Sequence, residues 1–275
     1  MDVKDKLKEF FENENIEYYS VLRYSDCIES SPAIMSREDF IPRSVIVFLV
    51  PYYTGETVNI SRYAASLDYH IVIKDISGRL ETFLKGEFPE CSLRAYGDHS
   101  PIYECHAATI GGLGIRGDNG LLINEKYGSY VFIGDTVTDI DPELLGAVKP
   151  CEIQGCYHCG SCLTACPTGV LSGIGKDCLS AITQKKGELD KEEQSLLVKH
   201  GTVWGCDICQ SVCPYNANPK RTPVEFFYKD RIEELTLDIL DSMDKSTFQK
   251  RAFAWRGRRV VERNLEILKK GADSR

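Results

Sequence analysis

The sequence predicts an α+β fold over residues 1–150, a cysteine-rich domain over 151–230 and a basic helical tail over 231–275. Three observations carry this division. Helix-like and strand-like patterns alternate irregularly before Pro150, without the repeated strand-helix-strand units of a doubly wound sheet. The composition then changes from β-rich to Cys, Gly and Pro. Finally, the stretch 245–275 holds ten Lys and Arg against three acids, a net +7 in a chain of net charge −8, so the remainder carries −15.

With 275 residues, 43% of them hydrophobic and 27% charged, the chain can bury cores without disulfide staples, and disorder is excluded as its main state. The N-terminal stretch MDVKDKLKEFFENEN is charged throughout and lacks the apolar segment and small-residue cleavage site of a leader, which predicts a cytosolic protein with reduced thiols. The longest apolar run, Val45–Val50, is far below the roughly 20 residues that span a bilayer, so no membrane role is expected.

Taken in order, residues 3–12 read as an amphipathic helix, 44–50 as a buried strand and 61–84 as one or two helices with an apolar face. The segment ECHAATIGG reads as a helix, and the loop before it, Asp98-His99-Ser100-Pro101, supplies Ser100 as its cap. Strand-like pieces follow at 121–124 and 130–133. In the tail, Val260, Val261, Leu265 and Leu268 have the spacing of an inward helical face, while the outward Lys and Arg could contact phosphates; both readings stand together.

The cysteines carry the chemistry. Of twelve, Cys27, Cys91, Cys105 and Cys178 are scattered, and the others fall between 151 and 213. Cys156-x2-Cys159-x2-Cys162-x3-Cys166-Pro167 has the full bacterial ferredoxin spacing, and Cys206-x2-Cys209-x3-Cys213-Pro214 partly repeats it. Three thiolates two residues apart wrap one corner of a cubane, and the fourth reaches a second cluster. Zinc knuckles pair two CxxC units around a tetrahedron, which fits this spacing poorly. Crossing over the fourth cysteines gives Cys156, Cys159, Cys162 and Cys213 to one [4Fe-4S] cluster, and Cys166, Cys206 and Cys209 to another. Two cubanes need an eighth thiolate. Cys178, at the start of the apparent helix CLSAITQKK, is the first choice and Cys151 the competitor. A pair of clusters is an electron wire, and its terminus is expected in residues 1–150.

Two look-alikes sit in that half. Gly112-Leu-Gly114-Ile-Arg-Gly117 matches a dinucleotide-binding string, but it follows a helix where a strand is required, so the glycines are read as allowing close backbone approach to something flat or bulky. Asp68-Tyr-His70 recurs in part of a cobalt-binding string whose glycine is replaced by Ile73, so His70 is expected on a helix surface. Asp98, in a loop leading into a helix, is a candidate proton donor if burial raises its pKa.

The chain resembles the epoxyqueuosine reductases, cobalamin-dependent iron-sulfur enzymes of tRNA modification in queuosine biosynthesis. The resemblance lies in SVIVFLVPYY (44–53), RYAASLDYH (62–70), GDHSPIYE (97–104), GLGIRGDNGLLIN (112–124), GSYVFIGDTVTD (128–139), CGSCLTACPTGVL (159–171), DCLSAITQKKG (177–187) and WGCDICQSVCPYN (204–216), in the family's order. It implies cobalamin held by the first domain, with Gly112, Gly114, Gly117 and Asn119 as the cofactor-binding loop, beside two [4Fe-4S] clusters fed by an external low-potential donor. It also implies Asp98 as the acid that protonates the departing epoxide oxygen, and Cys178 as the eighth cluster ligand. Where the family reads GLGWIGKN this chain has Ile115 for Trp and Asp118 for Lys, and His99 replaces a small Thr or Ser. Family members usually continue into helical repeats that help hold tRNA, so a chain ending at Arg275 is read as a short form.

The expected function is therefore reductive removal of the epoxide oxygen of epoxyqueuosine in tRNA or in the free nucleoside. Two alternatives are a cobalamin and iron-sulfur reductase of another small molecule, akin to reductive dehalogenases, and a non-enzymatic two-cluster electron carrier.

Overall fold

The computed structural model describes residues 2–273. The chain divides into two compact units, one formed by the chain up to Pro51 together with His70–His158, the other by Tyr52–Tyr69 together with the chain from Cys159 onward. Pro150 thus lies inside the first unit, the segment 52–69 belongs with the cysteine motifs, and the basic tail folds within the second unit.

The first unit is a four-stranded antiparallel sheet with helices on both faces. Its elements are α1 (Val3–Asn13), β1 (Tyr19–Arg23), α2 (Pro32–Met35), β2 (Ser44–Pro51), α3 (Tyr69–Glu87), β3 (Leu93–Tyr96), α4 (Glu104–Ile110), a small hairpin of β4 (Ile115–Arg116) and β5 (Leu122–Ile123), β6 (Val131–Thr138) and α5 (Pro142–Leu145). The strand order is β1-β2-β6-β3. The uninterrupted apolar run of β2 is explained by its central place: all eight of its residues are buried. Val45, Val47 and Leu49 pack with Ala107, Ala108 and Ile110 of α4, while Phe48 points the other way and meets Phe11 of α1 at 5.6 Å between ring centroids. Phe48 pairs across the sheet with Gly134, where a Cβ would lie 2.5 Å from the phenyl ring. Glycine is required there by packing. Helix α3 buries Val72, Ile73, Ile76, Leu80 and Leu84, the three-and-four spacing of one helical face.

The second unit contains α6 (Ser161–Ala165), α7 (Leu179–Thr183), α8 (Lys191–His200), α9 (Ile208–Ser211), α10 (Leu237–Ser242), α11 (Lys245–Gln249) and α12 (Arg258–Asp273). Its core gathers Ile60, Ala64, Val203, Trp204, Leu235, Phe253 and Val261. The segment 52–69 is drawn in by backbone bonds, Ser61 N donating to the Trp204 carbonyl at 2.7 Å and Val203 N to the Asn59 carbonyl at 2.6 Å. The expected inward face of the tail helix is present: Val260, Val261 and Leu265 are buried, and Leu268 packs against the same core. Fully buried Asn264 fastens α12 by donating to the carbonyls of Thr183 and Val203 at 2.7 and 2.8 Å. No helix among the described residues is long and apolar enough to cross a membrane.

Candidate active site and cluster-binding cysteines

Strand β3 delivers the chain into the loop 97–101. Gly97 packs so tightly on α3 that a Cβ would lie 2.8 Å from Ile73 Cγ2. Beyond it Asp98 (φ 155°) and His99 (φ 52°) both take positive φ, and His99 lies in the left-handed region that non-glycine residues rarely adopt. Such conformations persist only where surrounding contacts hold them, and they cluster at working sites. Here the hold is visible. The Ser30 hydroxyl donates to the Ser100 carbonyl at 2.6 Å, and Ser30 N donates to the Pro101 carbonyl at 2.8 Å.

The Asp98 carboxylate is about half exposed and lies 3.2 Å from Nε2 of His70, in the first turn of α3. The expected burial of Asp98 is not found; an imidazole partner stands in its place. Nothing in the local sequence of His70 signals this pairing, because the loop and the helix start are joined only by the fold. Beside them lies a cavity of about 480 Å³ lined by His70, Lys74, Ser77, Arg94, Tyr96 and Gly97.

Ser100 does not cap α4. That helix begins at Glu104 with Tyr103 before it and no side-chain cap. The Ser100 hydroxyl instead donates to Asp135 Oδ2 at 2.9 Å. Asp135 is fully buried on β6, and the half-buried Glu104 is its neighbour. Burial, then the Asp98 charge, pushes the Glu104 carboxyl up to about 7, with Asp135 and His70 pulling the other way. Burial, then Glu104, drives Asp135 well above the ordinary carboxylate range. Sequence reading missed both acids, since neither Glu104 in ECHAATI nor Asp135 in VFIGDTVT has a local partner of its own kind.

The glycine loop follows α4. At Gly114 a Cβ would lie 2.5 Å from the Ile123 carbonyl, and at Gly117 2.5 Å from Asn119 Oδ1. The close approach expected of these glycines is thus made to the chain itself, within the β4–β5 hairpin. Gly112, at φ 77°, faces the Cys151 thiol. The amide nitrogen of Asn119 is buried and unpartnered, a donor that a bound acceptor would satisfy. The hairpin also fixes Cys156, whose N–H donates to the Arg116 carbonyl at 3.0 Å. Asp118 pairs with Nδ1 of His158 at 2.8 Å, and both lie against Cys156, their ligand atoms within 4.8 Å of one another.

None of the twelve cysteines is joined in a disulfide. In the second unit, α6 carries Cys162 and ends at Cys166, and it packs on α9, which carries Cys209. Although burial raises it, the Cys166 thiol is held below the usual value by the N–H groups of Leu171, Thr168 and Gly169 and the Thr168 hydroxyl, all turned toward the sulfur. Cys206 is pushed up to about 11, first by burial, and Cys178 and Cys166 are among the neighbours whose charge adds to it. Cys166, Cys178 and Cys206 are therefore neighbours in the second unit. Cys213 precedes the short turn Pro214–Asn216. Thiols gathered in this way are of the donor class that iron-sulfur clusters take.

These features are those of an iron-sulfur protein. Residues 155–216 match the 4Fe-4S double cluster binding domain, and residues 41–99 match the model described as epoxyqueuosine reductase QueG, DUF1730. An epoxyqueuosine reductase of Gloeobacter violaceus is 34% identical over 223 residues, covering 76% of this chain and 69% of the relative. That of Listeria monocytogenes is 34% identical over 220 residues, but the chain spans only 56% of its length. The chain belongs to the epoxyqueuosine reductase family. Its fold is also that of the epoxyqueuosine reductase from Streptococcus thermophilus, with TM-score 0.75 and 24% identity over 99% of this chain and 82% of the other. It matches equally the structure of an epoxyqueuosine reductase with an epoxyqueuosine-modified tRNA stem loop, with TM-score 0.75 and 22% identity over 97% and 81% of the two chains. A catabolic reductive dehalogenase is more distant, with TM-score 0.51 and 14% identity over 98% of this chain and 36% of the other.

Proposed function

We propose that this protein removes the epoxide oxygen of epoxyqueuosine in tRNA, in the cytosol, using electrons from an external low-potential donor carried by two [4Fe-4S] clusters. The reading takes Cys156, Cys159, Cys162 and Cys213 as ligands of one cluster and Cys166, Cys178, Cys206 and Cys209 as ligands of the other. The neighbourhood of Cys166, Cys178 and Cys206 supports Cys178 as the eighth ligand over Cys151. The observation that carries the reading is the Asp98–His70 pair on a constrained loop beside a cavity.

Within that site Asp98 is the acid. Its carboxyl reaches solvent, so a substrate can approach it, and His70 fixes its orientation and can return a proton to it. The cavity walls offer Tyr96 for stacking and Lys74 for a phosphate. Cobalamin enters on the family resemblance, and the unpartnered Asn119 amide beside Gly117 fits a bound group with an acceptor. When bound, cobalamin supplies a low-valent cobalt able to reduce carbon-oxygen bonds. The role of tRNA follows from the stem-loop complex of the relative, and the basic tail is the surface whose charge suits phosphate.

The test is incubation of anaerobically reconstituted protein with epoxyqueuosine-bearing tRNA, a low-potential reductant and cobalamin. Mass spectrometry should find a nucleoside lighter by one oxygen atom. Full cluster content with an unchanged nucleoside contradicts the reading.

A further inference from the structure

We propose that Glu104 and Asp135 hold one proton between them and reload Asp98 with it during turnover, acting as a proton reservoir behind the acid. This deepens the reductase reading and rests on it. Turning an epoxide into an alkene breaks two C–O bonds, forms one C–C π bond and releases the oxygen as water. The balance requires two electrons, which the low-potential donor provides through the clusters, and two protons. Asp98 carries one. A second proton has to reach the oxygen within the same turnover.

The geometry supplies it. Asp135 is fully buried, and its Oδ2 accepts a hydrogen bond from Ser100, two residues beyond Asp98 on the same loop. Its other oxygen, Oδ1, and Oε1 of Glu104 are both buried with no donor available to them. Two ionised carboxylates have no hydrogen to share, and a buried pair in that state carries two uncompensated charges. One proton between them turns one inward oxygen into a donor and the other into its acceptor. Burial raises both acids first, the Glu104 charge then raises Asp135 further, and Asp135 hydrogen-bonds Glu104, the arrangement in which two adjacent carboxylates share one proton.

The other titratable groups facing the pair narrow the route. Cys27 and Tyr96 lie toward Asp135 and Cys105 toward Glu104. Burial pushes Cys27 and Tyr96 up to about 12 and raises Cys105 above the usual thiol value, so all three keep their protons at neutral pH. Among the described residues, Asp98 and His70 remain to exchange a proton with Glu104, and both face it electrostatically. Glu104 and Asp135 act through Asp98 and are positioning residues.

The experiment pairs infrared spectroscopy with kinetics. The wild-type protein should show the carbonyl stretch of a protonated carboxylic acid at pH 6 that weakens as pH rises above neutrality. Glu104→Gln, which preserves shape and can still donate to Asp135, should lose that titrating band, while Asp98→Asn keeps it. On epoxyqueuosine-bearing tRNA, Glu104→Gln should lower kcat by roughly 10²-fold, the low end for a lost proton donor, with KM unchanged. It should also remove the fall in kcat above neutral pH. A wild-type spectrum without the band, or a Glu104→Gln variant with wild-type kcat across the pH range, overturns the proposal. A wild-type protein that shows the band but turns over no epoxide overturns the reductase reading, and the reservoir role with it, while leaving the shared proton in place.

Discussion

The Glu104–Asp135 pair makes stability depend on pH in a direction opposite to that of ordinary surface acids. Glu104 is raised from 4.5 to about 7 in the folded protein. The folded state therefore binds this proton more tightly than the unfolded chain does. Its contribution is complete below the unfolded pKa and is lost as pH rises through the folded one, so stability falls between about pH 4.5 and 7. A shift of that size corresponds to about 3 kcal/mol, at 1.36 kcal/mol for each pKa unit. Glu104→Gln removes the titration and leaves an amide that donates to Asp135 at every pH. Urea midpoints measured anaerobically at pH 5.5, 7 and 8.5 should fall for the wild type and stay nearly flat for the variant, which becomes the more stable of the two above neutrality. Parallel curves for the two proteins would show that the carboxyls are not coupled through a proton and would refute the reasoning.

Cys178→Ser should leave about four irons per chain instead of about eight after anaerobic reconstitution, read by iron analysis; full iron retention would transfer the eighth ligand to Cys151. Asp98→Asn should abolish epoxide removal while both clusters survive, seen as an unchanged visible spectrum with no product, and an active variant would remove Asp98 from the acid role. Gly134→Ala puts a methyl group 2.5 Å from the Phe48 ring and should cost about 1–3 kcal/mol in urea denaturation, the range for overpacking.

What the sequence disclosed and what it concealed divide along one physical line. Features carried by local spacing were legible. The cysteine repeats match a double-cluster domain, the all-apolar run at 45–50 is the central strand, and Val260, Val261 and Leu265 are the inward face of the tail helix. Features made by distant parts of the chain were not. Strand β3 was invisible because the four residues of LRAY are too few for an alternation to register; it exists through its pairing with β6. The segment 52–69 gave no sign that its partners lie near Trp204, since the bonds are backbone to backbone. In the candidate site, Asp98 was singled out with its loop, but His70, Glu104 and Asp135 gather around that loop from a helix start, a second helix and a strand. Ser100 shows the same limit: a serine before a helix reads as a cap, yet its hydroxyl serves a buried acid on β6.

The measurement that tests the central claim most directly is joint analysis of iron and cobalt in protein purified without oxygen and supplied with cobalamin. The account predicts about eight irons and one cobalt per chain, in a brown protein. A colourless preparation, or one carrying zinc in place of iron, contradicts it.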